Sequence, residues 1–207
     1  MKKKYLVFVI FFFVVVALYN SVYFEKLDSK RQQETKKNFN PKESVDFFWK
    51  NKLDEILKSA IDLKLFDSLV AANPNILIKQ YGKSVGITSN YSFLVKGLAK
   101  TVAPGAEAIP VIITHGNARY KLFIKYLFGN SARNATGYFN IDDFENTMDF
   151  NAVATELNSL ILKKVIANKL NSLTPGVDIK FVGALELNSE NIQKELEIVP
   201  LKLEIIR

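Results

Sequence analysis

An uncharged apolar run opens the chain. From Tyr5 to Phe24 there is no charged residue, and Leu6 to Leu18 is almost wholly Leu, Val, Ile and Phe. Twenty helical residues at about 1.5 Å each span about 30 Å, the thickness of one hydrocarbon core. Lys2, Lys3 and Lys4 stand before the run, so the positive-inside rule keeps that end in the cytoplasm and exports the rest. An uncleaved signal anchor over residues 1–24 is favoured, with Tyr19, Tyr23 and Phe24 as interface aromatics. A cleaved signal peptide is the alternative, although only Ala17, Asn20 and Ser21 offer small residues for a cut. Residues 25–40 are rich in Lys, Gln and Glu and read as a polar linker.

Helical spacing comes next. Phe47, Trp49, Leu53, Ile56, Leu57, Ala60 and Ile61 predict one helix capped by Ser44. Leu65, Leu69 and Val70 predict a second. Asn73-Pro74 predicts the cap and first turn of a third, which stops at Gly82. Residues 41–84 therefore read as a small helical domain.

Residues 85–207 switch to period two. Tyr91, Phe93 and Val95 form one alternating set; Ile109, Val111 and Ile113 a second; Tyr120, Leu122, Ile124 and Tyr126 a third. His115-Gly116-Asn117 reads as the hairpin loop between the last two. Gly97 to Pro104 shows no period. A long helix follows, with Asn146 as its cap and an apolar stripe of Phe150, Val153, Ala154, Leu157, Leu160, Ile161 and Val165. Val177 to Leu187 predicts a fourth strand. The fifth slips phase beside Pro200, from Leu196 and Ile198 to Val199, Leu201, Leu203 and Ile205, which predicts a bulge or a sheet edge. Three strands, a helix and two strands is the order of an OB-like five-stranded β-barrel. A five-stranded sheet with one helix on a face is the alternative. The fold class is α+β, behind one N-terminal transmembrane helix.

Charge narrows the function classes. The net charge of +7 looks like a nucleic-acid signal, but residues 45–207 hold 19 basic and 17 acidic side chains. A binder that works by counterion release needs its excess in the folded part, so no nucleic-acid partner is expected. With no Cys and one His, thiolate chemistry, lipid attachment through cysteine and most metal sites are excluded. No cofactor and no metal are expected. The acids Asp142, Asp143, Glu145 and Asp149 lack calcium-loop spacing and suit a helix N-terminus.

Gly129 to Gly137 is rich in Asn, Ser and Thr and holds Arg133. Two readings stay open for this segment. It is a polar loop whose Arg133 binds a carboxylate, a phosphate or a partner backbone. Or Arg133 and Asn134 brace the turn by bonding carbonyls.

Gly129-Asn130-Ser131-Ala132-Arg133-Asn134-Ala135-Thr136-Gly137-Tyr138, then Asp143 to Phe150, Val153-Ala154 and Leu157-Asn158, resemble the motifs of domain-of-unknown-function family 2291. Tyr81-Gly82, Lys96-Gly97 and Phe181-Val182-Gly183 support the likeness, which covers most of residues 40–207. The resemblance implies a predicted periplasmic lipoprotein with a small helical part, an OB-like part and no established activity, in some members beside sugar-uptake transporters. It carries over Gly129, Ser131, Arg133 and Asn146 as candidate ligand- or partner-binding residues. Two departures stand out: there is no cysteine to lipidate, and Phe128 occupies the place before the glycine where members often carry arginine.

The expectation is a non-enzymatic binding or accessory module on the outer face of the inner membrane, single-pass, with the folded part exported. Its partners would be the membrane, through the N-terminal helix, and an envelope or transporter protein, in a solute (sugar) uptake system. The alternative is a small-ligand sensor or carrier with a pocket between the helical and barrel parts.

Overall fold

The computed structural model describes residues 5, 39–103, 108–113, 119–190 and 196–206. The expected anchor (except Tyr5), nearly all of the linker and the His115 loop lie outside these residues. Among the described residues, no helix is long and apolar enough to cross a membrane. Asn40–Arg207 forms one compact unit.

Helix α1 (Pro41–Asn51) is capped by Asn40, whose side chain accepts from the backbone N–H groups of Lys42 and Glu43. This corrects the expected cap at Ser44: Pro41 sits at the first helical position, where its missing N–H costs nothing, and that fixes the start one turn earlier. The helix also fails to run on to Ile61. It breaks at Lys52, and α2 (Leu53–Leu57) is a separate short turn. The next residues, Ile61–Asp62, form a two-residue strand β1 that pairs in parallel with Val95–Lys96. That edge of strand β2 (Asn90–Thr101) is open there, because β3 (Ala108–Ile113) pairs only with Ala99–Thr101. An open edge takes hydrogen-bond partners where they are offered.

Asp62 caps α3 (Leu63–Ala72), and Asn73 caps α4 (Pro74–Tyr81), which ends at Gly82 as its sequence predicts. Phe66 of α3 meets Phe93 of β2 edge-on at 5.3 Å. Phe48 of α1 is fully buried, with its ring 4.9 Å from Tyr138 and 5.1 Å from Phe139. The helical segment thus makes aromatic contacts both with the sheet, at Phe93, and with Tyr138–Phe139 outside it.

The sheet closes. Strand β2 pairs with β3, β3 with β4 (Arg119–Phe123), β4 with β6 (Leu196–Ile206), β6 with β5 (Asp178–Asn188), and β5 returns to β2 along eleven residue pairs. All of these pairings are antiparallel except β4 with β6. The ring has the five strands expected; β1 makes the sheet six-stranded, one more than the alternation predicts. Phe93, Val95, Leu122, Ile179, Phe181, Leu185 and Ile198 are fully buried. Strand β2 runs on through Gly97–Thr101, where no period was legible. Buried Thr101 fastens its end: its Oγ1 donates to the Thr174 carbonyl and accepts from the Val177 N–H. The third strand stops at Phe123, short of the expected Tyr126.

The phase slip at Pro200 is a bulge. Val182 faces Lys202 and Gly183 faces Pro200, so Leu201 is the extra residue. The long helix α6 (Thr147–Ile161) lies between β4 and β5 as expected, and one π turn, Leu162–Ile166, extends it. A short helix α5 (Ser131–Thr136) precedes it.

Candidate functional site

The segment Gly129–Gly137 is not an open loop. Most of it is α5, which packs on β2, β5 and α6. Gly137 ends the helix with φ +61°, in the left-handed region that disfavours a side chain, and its N–H donates to the Asn134 carbonyl. Asn158 of α6, itself buried, donates its Nδ2 to the Gly129 carbonyl at 3.1 Å and pins the entry of the segment.

Arg133 points inward and is 2 % exposed. Its Nη1 donates to the Phe150 carbonyl at 2.7 Å and to Asn151 Oδ1 at 3.3 Å. Its Nε and Nη2 both donate to Asn134 Oδ1, and the guanidinium lies 3.4 Å from the centre of the Phe150 ring. Among the described residues no carboxylate pairs with it. Burial alone pulls its pKa down to about 10, so it stays charged at neutral pH. The bracing reading of Arg133 describes these contacts: it clamps α5 to the first turn of α6.

Asn146 is the cap of α6. Its side chain accepts from the Asp149 N–H at 2.9 Å and donates to Asp149 Oδ2 at 2.9 Å. Such a cap contributes about 1 kcal/mol. Asn146 lines none of the cavities described below, so it stands apart from Gly129, Ser131 and Arg133.

Two adjoining cavities flank the Gly129–Asn130 turn. One, of about 470 Å³, lies between Phe128–Ser131 and the strand ends carrying Asn90, Phe123, Glu186, Asn188, Glu197 and Val199. The other, of about 450 Å³, is bounded by Val85, Thr88, Asn134, Ile141, Thr147 and Asn151, with Arg133 and Phe150 in its wall. Both include Asn90, Gly129, Asn130 and Glu186, so they form one polar groove. Cross-strand register builds its floor: Asn90 pairs with Asn188, and Asn188 Nδ2 donates to Asn90 Oδ1 at 2.7 Å.

Exposed apolar residues lie in or next in the chain to the groove's lining. Ile87, Phe128 and Met148 are 109 %, 80 % and 79 % exposed, the highest values for large apolar side chains among the described residues. Ile87 adjoins Thr88, Met148 adjoins Thr147, and Phe128 lines the groove itself. Phe128 stacks on Tyr126, ring centres 6.4 Å apart and planes 9° apart. Gly129, Ser131 and Arg133 were expected together and meet here. Asn90, Glu186, Asn188 and Glu197 were missed, since only the strand pairing gathers them; Asn130, between Gly129 and Ser131, was not singled out.

A third cavity, of about 430 Å³, lies between α2 and the outer side of the barrel. Asp54, Leu57 and Lys58 face Lys96, Lys180, Phe181, Val182, Lys202 and Glu204 across it.

Asp67 of α3 accepts a short hydrogen bond from the Tyr120 hydroxyl. Burial raises the Asp67 carboxyl above its ordinary value, and the Tyr120 bond lowers it in part. The Tyr120 phenol is raised, first by burial and then by the carboxylate. A carboxyl with a raised native pKa holds its proton more tightly folded than unfolded. Stability from Asp67 is therefore full at acid pH and falls as pH rises through the native pKa. Denaturant titrations between pH 4 and 8 should show this fall in the wild type and not in Asp67→Asn. Tyr120→Phe should cost about 1–3 kcal/mol at pH 7 and move the fall to higher pH.

Comparison with known proteins follows the same lines. A family model described as predicted periplasmic lipoprotein (DUF2291) matches residues 12–204. The resemblance read from Gly129 to Asn158 is thereby borne out. A solved OB-fold protein from Thermotoga maritima is similar to this chain at a TM-score of 0.73 and 26 % identity, over 82 % of this chain and 100 % of that one. The expected OB-like barrel is that fold. No curated protein matches significantly.

Proposed function

We propose a function from one premise: the chain belongs to the DUF2291 family of predicted periplasmic lipoproteins. It is a binding or accessory module of the cell envelope and works by docking rather than by catalysis. The uncharged run Tyr5–Phe24 behind three lysines supports attachment to the inner membrane by that segment, in place of a lipidated cysteine. The folded unit is then exported.

The observation that carries the docking reading is Phe128, 80 % exposed in the lining of the polar groove, with exposed Ile87 and Met148 next in the chain to the groove residues Thr88 and Thr147. A large exposed apolar side chain among Asn, Ser and Glu groups fits a protein interface better than a solvated surface. Asn90, Asn130, Ser131 and Glu186 supply hydrogen bonds to the partner, and Arg133 holds the Gly129–Asn130 turn from behind. The partner we propose is one within a solute (sugar) uptake system, as the family resemblance implies.

The test is co-purification of the full-length chain from native membranes in mild detergent. A specific envelope partner should be recovered with the wild type and lost with the double variant Phe128→Ser, Met148→Ser, whose side chains are exposed and leave the core untouched. Equal recovery with both would overturn the reading.

A second reading is favoured by the cavity between α2 and the barrel. There the protein is a small-ligand sensor or carrier, with its pocket between the helical and barrel parts. Saturable binding of a soluble compound that is blocked by substitutions at this cavity would identify it.

A further inference from the structure

The outward side of β2, β5 and β6 concentrates lysines. Register sets Lys96 and Lys202 on either side of Val182, and Lys180 two residues along β5 from Val182. Lys58, at the end of α2, closes the ring from the helical side. All four side chains are exposed and line the same cavity of about 430 Å³. Two carboxylates, Asp54 and Glu204, share the lining, so the excess is two positive charges. Only Lys202 has an ion-pair partner among the described residues, Glu204 at 3.7 Å; Lys58, Lys96 and Lys180 have none there.

Within the sheet, Lys180 stands opposite Glu204 across β5 and β6, a favourable cross-strand pair, while Lys96 and Lys202 flank the uncharged Val182. The excess of positive charge over Asp54 and Glu204 is left for an anion to balance. The floor is apolar, with Leu57 and Phe181 buried beneath, which weakens local screening. Ammonium groups bind phosphate as point charges from several directions, as four lysines around a concavity do. Resting on the second reading above, we propose that this cavity binds a phosphate-bearing anion, held by Lys58, Lys96, Lys180 and Lys202. A soluble phosphorylated compound and the phosphate headgroup of an anionic lipid offer the same chemistry.

Calorimetric titration of the full-length chain in neutral detergent tests this with inorganic pyrophosphate, and with mixed micelles carrying phosphatidylglycerol. At least one probe should saturate at about one site per chain. Binding should weaken about tenfold or more in Lys96→Gln, Lys180→Gln, equivalent to about 1.4 kcal/mol, and fall with added salt. Both side chains are exposed, so the melting temperature should be unchanged. Saturation by pyrophosphate marks a soluble ligand; saturation by phosphatidylglycerol micelles alone marks a headgroup. No saturation by either probe, or equal binding by the double variant, overturns the proposal. A panel of neutral sugars and amino acids separates the two levels. A neutral compound that saturates the cavity where the anions fail leaves the pocket standing and removes the anion.

Discussion

Arg133→Ala should lower the unfolding free energy of residues 40–207 by about 2–4 kcal/mol, measured by urea denaturation. The guanidinium makes four hydrogen bonds to Phe150, Asn151 and Asn134 and lies against the Phe150 ring. A hydrogen bond from a charged donor contributes about 1.5–3 kcal/mol net, and bonds that share one guanidinium do not simply add. Desolvation is substantial, because the group is buried and faces no carboxylate, and its lowered pKa has that cause. The net loss is therefore well below the sum of the bonds. Arg133→Lys should recover only a fraction: one ammonium cannot reach Asn134 and the Phe150 carbonyl in the flat fork that Arg133 uses. An unchanged unfolding free energy in Arg133→Ala would mean that the clamp between α5 and α6 does not hold the fold.

Gly183→Ala should be about as damaging, at about 2–4 kcal/mol. The reason is space rather than backbone angle. A Cβ at Gly183 would stand 2.5 Å from Ile198 Cγ2 and 2.8 Å from the Val199 carbonyl oxygen, with Pro200 Cα at 3.3 Å. Ile198 is fully buried and cannot swing away, and Val199 offers backbone, which shifts only with the strand. The crowding follows from the bulge: Leu201 is the extra residue, and it brings β6 close against β5 at Gly183. Relief would require moving the bulge, which changes the register of β5 against β6. Thermal melts of Gly183→Ala should show the loss, and Gly183→Val a larger one. A neutral Gly183→Ala would mean that the strands separate there at little cost.

The parts of the fold that were legible are those with strong local signals. Val177–Leu187 alternates cleanly because one phase is buried in the barrel. The slip at Pro200 showed as a change of phase because an extra residue must reverse the alternation. Asn73-Pro74 and Gly82 gave α4 both its ends. Asn40-Pro41 carries the same start signal as Asn73-Pro74, and the more central Ser44 obscured it.

What stayed hidden depends on distant partners or on small buried residues. Gly97, Ala99 and Thr101 occupy the inward phase of β2, and residues this small carry little hydrophobic signal. The closing pair of β4 with β6, and the capture of Ile61–Asp62 by β2, need contacts far apart in sequence. Helix α5 is six residues of Ser, Ala, Arg, Asn and Thr, too short and too polar to show a stripe. That is why the ligand-binding and turn-bracing readings of Arg133 both stayed open. The groove was half legible: Gly129 and Ser131 belong to it, but Asn90, Glu186 and Asn188 become neighbours only once β2 and β5 are in register.

The central claim is that the groove beside Gly129–Asn130, with exposed Phe128 in its lining, docks an envelope protein. Photo-crosslinking in intact cells tests it most directly, with a photoreactive residue at position 128 of the full-length chain and at position 98 as control. Leu98 is also exposed, but lies on β2 eight residues from Asn90, about 25 Å along the strand. The account predicts a discrete adduct with one envelope protein from position 128 and none from position 98. No adduct from position 128, or the same adducts from both positions, would contradict it.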